Sequence, residues 1–426
     1  MKADHKKQAG GRIQVTIELT PEEYQKIKTQ AAVNVSQVKT LPGFRAGKAP
    51  YDVVAKHYGP DLEQEESLIA VKKYYLPYLE EQTWQTIGQP KIKHLSFNPF
   101  VFEVVSDILP EVKLGNWPKI KIQSQPVVVL PEKVDKVLHD LRNSRASEAL
   151  TDRPVELGDR IIMDFNVSVD GVAVDGGAAN DYSIIMGRSQ LVLGFENNLI
   201  GAKAGETKKF ELKFPDDYNK NLAGKEAQVT AKIKSVFKRA LPEVNDEFAK
   251  NLGKFSSLKE LKDRLEKNLH DEAAEAEVMR QERAMFDALL KVAEFEEIPE
   301  SLVKNEVEQM INEFSQGITN QGLVFEDYLQ SIKKSVDDLK KDFRDAGLKR
   351  VKTALIIRQI GQENKIEATN DQVEDELGHL LEHFASQPEV MAKLDAADYR
   401  EHLKDTLTNQ QVVKWLKDKL VLKSST

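Results

Sequence analysis

The sequence predicts a multidomain α+β protein, and three features of its patterning indicate this fold class. In residues 13–19 apolar and polar side chains alternate, which is typical of a half-buried strand. Residues 155–238 contain further short alternating stretches separated by glycines. From Pro242 onward glycine and proline become rare, and helical periodicity continues to residue 422. We therefore expect an α+β N-terminal domain, a small β-rich domain and a helical C-terminal domain.

The composition excludes several classes of protein. The chain has 426 residues, which at about 100–200 residues per domain predicts two to four domains. It contains no cysteine, so disulfides, Cys-ligated zinc, iron–sulfur clusters and thiol nucleophiles are excluded. No stretch reaches the roughly 18 apolar residues of a membrane span, and residues 1–10 lack the apolar core of a signal peptide. We therefore expect a cytosolic protein with no membrane partner.

Charge is distributed unevenly along the chain. The net charge is −8, but residues 1–60 hold ten Lys/Arg and five Asp/Glu, a local +5. Residues 240–426 hold 27 basic and 38 acidic residues, a local −11. A basic N-terminal region on an acidic body indicates either a docking end for a polyanion or ordinary surface variation, and charge alone does not separate the two.

The N-terminal region has the pattern of alternating strand and helix. Thr20-Pro21-Glu22-Glu23 is a capping box with proline at the first helical position, which predicts a helix over 21–40. Residues 51–58 and 62–86 have helical periodicity, and 97–106 alternate like a returning strand. The expected domains are, in chain order, an N-terminal domain 1–112, an extended linker and helix 113–152 joining the helical body, a small β-rich domain 153–239 and a helical domain 240–426.

The loop from Gly43 to Pro50, with sequence GFRAGKAP, is the sharpest local motif. Two glycines and flanking prolines predict a tight exposed turn in which Phe44 enters an apolar notch while its cationic neighbours meet phosphate or carboxylate. The spacing does not fit a nucleotide-binding loop, because Ala49 stands where a metal-binding Ser/Thr is needed. The alternative is a plain helix–helix turn with Phe44 turned inward.

The GFRAGKAP loop resembles the ribosome-binding signature of trigger factor, the bacterial ribosome-associated chaperone. In the middle region, MDFNVSVDG, VDGG, IIMG, LGFENNLIGAKAGE and FPDDY resemble an FKBP-type isomerase domain, which implies an antiparallel β-sheet domain with a short helix, followed by an all-α C-terminal domain. The helical remainder is similar to the chaperone body of the same family, so that the resemblance covers nearly the whole chain.

This resemblance implies partners and a docking site. The large ribosomal subunit would be bound at the exit tunnel, through a ribosomal protein and adjacent rRNA, and unfolded nascent polypeptides would be the substrates. An ATP-independent chaperone of this kind needs no cofactor, and family members also assist protein export and form homodimers off the ribosome. The docking residues implied are Phe44, Arg45 and Lys48, with Gly43, Gly47 and Pro50 shaping the tip.

The resemblance also implies a prolyl pocket for peptidyl-prolyl cis-trans isomerisation. Its positions are Phe165, Val174, Asp175, Tyr182, Leu191, Val192, Phe195, Tyr218 and Val229. The chemistry needs no nucleophile or metal, because the barrier of ~18–20 kcal/mol comes from amide resonance. An apolar pocket that desolvates the bond favours the twisted state, and Tyr218 could donate a hydrogen bond to a substrate carbonyl.

The pocket departs from the family pattern, and other readings stay open. Val174 and Val229 stand where an aromatic residue is usual, and Phe195 replaces the tryptophan floor of single-domain FKBPs, so we expect low activity or a structural spacer. The alternatives for the whole chain are a free FKBP-type isomerase and holdase that does not dock on ribosomes, and a purely structural scaffold.

Two features of the helical region need separate interpretation. His379 and His383 fit the H-x-x-E-H spacing of some zinc proteases, but the segment is a charged amphipathic helix, and we expect solvated histidines and no metal. Large apolar side chains of this region fit either a substrate cradle or the core, and we favour the core: Met310, Phe314, Phe325, Phe343 and Phe384.

Overall fold

The computed structural model describes residues 1–97, 99–188, 191–192, 194–215, 222–394 and 396–422, and the statements below concern these residues. For a few of them only the backbone is described: Phe97, Asp175, Glu389, Ala392, Lys393 and Ala397. The chain forms two compact units, Met1–Gln125 together with Met279–Thr426, and Pro126–Val278. The α+β multidomain fold class predicted from the sequence is confirmed.

The N-terminal part of the first unit is a four-stranded antiparallel sheet flanked by helices, with strand order β1-β2-β4-β3. Ile13, Val15 and Ile17 of β2 are completely buried, as their alternation predicts. The elements are β1 Lys2–Gln8, β2 Arg12–Leu19, α1 Pro21–Val38, α2 Tyr51–Ala70, a π-helix Val71–Tyr75, α3 Leu76–Glu81, β3 Thr86–Phe97 and β4 Phe100–Ile108.

Two local features differ from the sequence expectation, whereas the interruption expected between the helices at 51–58 and 62–86 is present. Tyr58, two residues before Pro60, has non-helical backbone angles (φ −138°, ψ 41°), so α2 consists of two helical segments that meet at a kink. The helical run ends at Glu81, and β3 begins at Thr86. Strand β1 has no apolar alternation and was not predicted, because its side chains are mostly exposed and its pairing with β2 is made by backbone.

The second unit contains a five-stranded antiparallel sheet with the order β10-β11-β8-β9, and β7 also pairs with β11. The turn predicted at Asp170-Gly171 joins β8 to β9, and both residues have positive φ angles, 51° and 80°. The elements are α4 Pro131–Ser144, β7 Ser147–Thr151, β8 Arg160–Val169, β9 Val172–Ile185, a 3₁₀ turn Glu196–Leu199, β10 Thr207–Lys213, β11 Glu226–Ala240, α5 Asp246–Leu252 and the first part of α6 Leu258–Val292.

The rest of the first unit is helical, with short strands that join it to the connector after β4. Strand β12 pairs with β5, and β13 pairs with β6 in parallel, so two dipeptide strands occur where an all-α region was expected. The elements are β5 Val112–Lys113, a 3₁₀ turn Trp117–Lys119, β6 Ile122–Gln123, β12 Glu294–Phe295, α7 Glu300–Asn320, α8 Phe325–Ser331, α9 Val336–Asn364, α10 Asn370–His383, α11 Pro388–Leu394, α12 Ala397–Leu420 and β13 Val421–Leu422.

The large apolar side chains of the helical region pack on its local cores. Phe314, Phe325 and Phe343 contact a cluster built on Val303, Val307 and Ile311, and the three rings meet edge to face. Phe384 packs on a second cluster with Leu377, and Met310 is half-buried. These contacts agree with the core interpretation. Across the described part of the chain, no helix is long and apolar enough to cross a bilayer.

The capping box at the start of α1 gives a prediction for stability. The Thr20 hydroxyl accepts a hydrogen bond from the Glu23 amide at 3.3 Å, and the Glu23 carboxylate accepts one from the Thr20 amide at 2.9 Å. We expect Thr20→Ala to destabilise α1 by about 1 kcal/mol, because helix-end donors lose their acceptor. Native-state hydrogen exchange of the α1 amides measures this, with Thr29→Ala inside the same helix as the control. Equal exchange in both variants would contradict it.

Candidate functional site

The GFRAGKAP loop connects α1 to α2 and is folded back on the end of α1. The amide of Gly47 donates a hydrogen bond to the carbonyl of Ser36 at 3.1 Å, and the amide of Lys48 donates to the carbonyl of Arg45 at 3.0 Å. Gly47 has a φ angle of 71°, and a Cβ there would lie 2.9 Å from Cγ of Gln37. The positive φ favours glycine, and any other residue would also have to displace the Gln37 side chain, so the second glycine of the motif contributes to the shape of the tip.

The tip exposes an aromatic ring and two cations. Phe44 is 41% exposed, so its ring is not turned inward. Arg45 and Lys48 are exposed, and neither makes an ion pair with any residue that the structure describes. Lys39 next to the loop differs, because its ammonium lies 2.6 Å from the Asp61 carboxylate. Of these three cations, the two that belong to the motif are therefore the ones without an ion pair among the described residues.

A small recess lies beside the ring of Phe44. It has a volume of about 70 Å³, and its lining includes Val38, Leu41 and Ala49 as well as Phe44. Val38 is 86% exposed, which adds an apolar side chain to the accessible surface of the loop. The tip thus combines an apolar surface with positive charge.

Buried polar contacts anchor the base of the loop. Pro50 is the N-cap of α2, and Tyr51 directly after it lies beside Glu66, which is 1% exposed. The Tyr24 hydroxyl donates to the Glu66 carboxylate at 3.1 Å, and the Lys28 ammonium lies over the rings of both tyrosines. Burial, and after it the Glu66 carboxylate, raise the pKa of Tyr24 and of Tyr51, so both hydroxyls stay protonated. These contacts were not predicted from the sequence, because Tyr24, Tyr51 and Glu66 lie far apart in the chain.

The second unit contains an apolar cavity of about 400 Å³ against its sheet. Six of the positions expected in the prolyl pocket line it: Phe165, Val174, Leu191, Val192, Phe195 and Val229. Its other lining residues were not predicted: Val167, Gly176, Gly177, Leu212, Phe214, Leu222 and Ala227. No ionisable side chain of the described residues lines the cavity.

An edge-to-face arrangement of aromatic rings forms one wall of this cavity. The ring of Phe195 lies 5.7 Å from that of Phe165 and 5.3 Å from that of Phe210, both nearly perpendicular. Phe195 is 3% exposed and is held by a hydrogen bond from its amide to the Val192 carbonyl at 3.0 Å. Such ring pairs contribute about 0.5–1.5 kcal/mol beyond their buried area, so the wall is rigid.

The remaining expected pocket positions fall behind the wall or outside the description. Tyr182 does not line the cavity but packs edge-on against Phe165, with ring centres 5.4 Å apart. Tyr218 lies outside the described residues, as does the side chain of Asp175. Phe214, which was missed, continues the alternation of Phe210 and Leu212 beyond the end of β10, and this pattern could have identified it.

The two histidines of the H-x-x-E-H pattern lie on the exposed side of their helix. His379 and His383 are both exposed on α10, while Leu377 of the same helix is 1% exposed. Within the part of the chain that the structure describes, no group of three or more His, Cys, Asp or Glu residues is placed to hold a metal ion.

The fold and the pocket together define a class of protein. One domain of the chain is an antiparallel sheet with an apolar pocket, and another domain presents a basic loop. This combination indicates a multidomain protein with an FKBP-type isomerase domain. Residues 151–238 match the family model of the FKBP-type peptidyl-prolyl cis-trans isomerase. Residues 1–141 match the model of the bacterial trigger factor protein, and residues 257–418 match that of the trigger factor C-terminus.

Relatives along the whole chain give the same result. Trigger factor of Carboxydothermus hydrogenoformans is 34% identical over 399 residues, which cover 90% of this chain and 91% of the relative. Trigger factor of Ligilactobacillus salivarius is 33% identical over 415 residues, covering 96% and 93%. A solved structure of the trigger factor chaperone aligns over 98% of this chain and 99% of its own, with a TM-score of 0.45 and 22% identity.

The chain belongs to the trigger factor family. It is a ribosome-associated chaperone that carries a peptidyl-prolyl cis-trans isomerase domain, and its substrates are nascent polypeptides, as the sequence predicted.

The loop glycines give a prediction with a matched control. Gly43 and Gly47 both have positive φ angles, but a Cβ at Gly43 meets nothing within 4 Å, whereas one at Gly47 meets Gln37. We expect Gly43→Ala to cost only the left-handed strain of about 1–2 kcal/mol, and Gly47→Ala to cost more and to break the bond to Ser36. Hydrogen exchange of the loop peptide, followed by mass spectrometry, should be faster in Gly47→Ala than in Gly43→Ala. Equal rates would show that the contact with Gln37 does not shape the loop.

Proposed function

We propose that this chain docks on the ribosome through the loop tip formed by Phe44, Arg45 and Lys48. The observation that carries this proposal is an exposed aromatic ring in the same loop as two exposed cations, neither of which has an ion-pair partner among the described residues. An apolar ring and cations that are not already neutralised can contribute to binding without first breaking internal contacts. The ring would enter an apolar notch on a ribosomal protein at the exit tunnel, and the guanidinium and ammonium would meet acidic side chains or adjacent rRNA phosphates.

The charge distribution supports this orientation. The first 60 residues carry a local +5, whereas residues 240–426 carry −11, so a polyanionic surface attracts one end of the chain and repels the other. We also propose that the protein acts in the cytoplasm, assists protein export and forms a homodimer when it is not on the ribosome. Membership of the family supports these three properties.

Cosedimentation with large ribosomal subunits tests the docking site. We expect the combination of Phe44→Ala, Arg45→Ala and Lys48→Ala to weaken binding by more than about tenfold, because centrally placed aromatic and cationic side chains dominate small interfaces. Pelleting of the unmutated chain should also weaken as salt rises, since the charge contacts are screened.

The control replaces matched side chains elsewhere in the N-terminal domain. Lys26 and Lys56 are exposed, and Leu68 is 44% exposed, close to the value for Phe44. The combination of Lys26→Ala, Lys56→Ala and Leu68→Ala should pellet like the unmutated chain. If the loop variant pellets as well as this control, the loop is not the docking site. If the unmutated chain also fails to pellet, the protein is a free FKBP-type isomerase.

We propose that the apolar cavity is the isomerase site. Phe165, Val174, Leu191, Val192, Phe195 and Val229 would form its wall, with Asp175, Tyr182 and Tyr218 completing the site. The uncharged lining is the observation that carries the assignment. A planar amide has more charge separation than a twisted one, so transfer from water into this cavity disfavours the planar ground state. Tyr218 would donate its hydroxyl to a carbonyl of the bound peptide.

The rate of prolyl isomerisation on a short peptide tests the pocket. Phe195→Ala should lower kcat/KM by about tenfold or more, since a buried Phe contributes about 1.5–3 kcal/mol of apolar burial and 1.4 kcal/mol is a factor of ten. Because Phe195 is also a core residue, Phe195→Leu serves as the second variant. It keeps most of the buried volume and should lose activity while thermal unfolding changes little. Full activity in Phe195→Leu would remove the ring from the proposed mechanism.

A further inference from the structure

Strand β9 has a bulge beside the pocket. The pairing with β8 shifts between the pair Met163 and Tyr182 and the pair Phe165 and Ala179, so two residues of β9 lie opposite one residue of β8. The second of these two is Asp181, a non-glycine residue with a φ angle of 53°. Bulges bend a strand and re-aim its side chains, and a left-handed aspartate is held there at a cost in free energy.

Strand β11 has a second bulge on the other side of β8. Ile233 pairs with Met163 and Ser235 pairs with Ile162, so Lys234 is the extra residue. Both neighbours of β8 are thus irregular at the level of Met163. A single irregularity needs no explanation beyond the local sequence, but two at one level of a central strand indicate a shared constraint.

An ion cluster on the outer face of the sheet joins the two bulges. The Lys234 ammonium lies 2.8 Å from Asp164 Oδ1 and 2.7 Å from Asp181 Oδ1. The Asp181 amide, in the left-handed residue, donates to Asp164 Oδ1 at 2.8 Å. The Lys234 hydrogen bond, and then the one from the Asp181 amide, lower the pKa of Asp164 below its ordinary 3.8, so the Asp164 carboxylate is ionised at neutral pH.

Each acidic member of the cluster directly precedes an aromatic residue of the pocket wall. Asp164 is followed by Phe165, which lines the cavity, and Asp181 is followed by Tyr182, which packs edge-on against Phe165. Because successive side chains of a strand alternate between faces, fixing Asp164 on the outer face fixes the inward direction of Phe165. The three charged residues themselves do not line the cavity.

We propose that Asp164, Asp181 and Lys234 are positioning residues that set the orientation of the Phe165 and Tyr182 rings for prolyl isomerisation. This inference rests on the assignment of the cavity as the isomerase site. Exposed ion pairs contribute little to stability, and these three groups are each at least partly exposed. We therefore expect these three residues to affect the orientation of the rings and not the stability of the domain. Small displacements in an active site can lower a reaction rate by as much as about 10²-fold.

The test compares three variants of the full chain. Lys234→Met removes the ammonium and keeps an unbranched side chain, and Lys234→Arg restores a cation that can bridge both carboxylates. Lys238→Met removes an exposed lysine of the same strand that has no ion pair among the described residues. We expect Lys234→Met to lower kcat/KM for a prolyl peptide about three- to tenfold, mainly through kcat, with thermal unfolding unchanged.

Lys234→Arg should recover most of the activity, and Lys238→Met should match the unmutated chain. Unchanged kcat/KM in Lys234→Met would overturn the proposal, and so would an equal loss in Lys238→Met, because the effect would then not depend on the cluster.

If the unmutated chain shows no isomerase activity, the assignment of the cavity as the isomerase site is wrong. A second measurement then tests the positioning of the rings by itself. The ¹⁹F NMR signal of Tyr182 in a chain labelled with fluorotyrosine, assigned with Tyr182→Phe, reports the ring environment directly. The signal should move in Lys234→Met, return in Lys234→Arg and stay in place in Lys238→Met. An unmoved signal in Lys234→Met would show that the cluster does not orient the ring, whatever the chemistry of the cavity.

Discussion

The hydrogen bond from the Gly47 amide to the Ser36 carbonyl turns the GFRAGKAP loop back onto the end of α1. Phe44 lies in this loop and is 41% exposed. The contact fixes the loop against α1, and the three side chains proposed to meet a partner remain exposed, so binding would not first have to remove them from a core.

The GFRAGKAP loop and the apolar cavity differ in their exposure to water. The loop keeps its cations in water, where they remain able to attract an anionic surface over about a Debye length. Among the described residues, the cavity of the second unit is lined only by apolar side chains, glycines and aromatic rings. The proposed docking site and the proposed isomerase site can differ in this way because they occur in separate domains, each with its own core.

The sequence predicted the parts of the structure that depend on local pattern. The alternation of residues 13–19, the capping box at Thr20 and the turn at Asp170-Gly171 depend on neighbours in the chain, and each occurs as expected. The lining of the cavity was predicted only in part, because the alternation that includes Phe214 was overlooked and Leu222 belongs to no motif.

Contacts between distant residues account for what the pattern did not reveal. Tyr24 and Glu66 are 42 positions apart, and nothing near either residue indicates the other. Lys234 occupies an ordinary place in an alternating strand, and only the register of its neighbours shows that it is an extra residue. Strand β1 was overlooked for a related reason, because its partner supplies the apolar side chains and its own are mostly charged or polar.

The position of strand β1 at the edge of its sheet matters for a protein that binds unfolded chains. It is an edge strand, with β2 on one side and no strand of the described chain on the other. Open edges of this kind are templates for aggregation when extended polypeptides are concentrated nearby, which is the ordinary condition of a protein that holds unfolded chains. Lys2, Lys6 and Lys7 are exposed on this strand, and lysines are among the residues that protect open edges from further strand addition. We therefore expect an extended client segment to pair poorly with β1, because it would have to desolvate these charges.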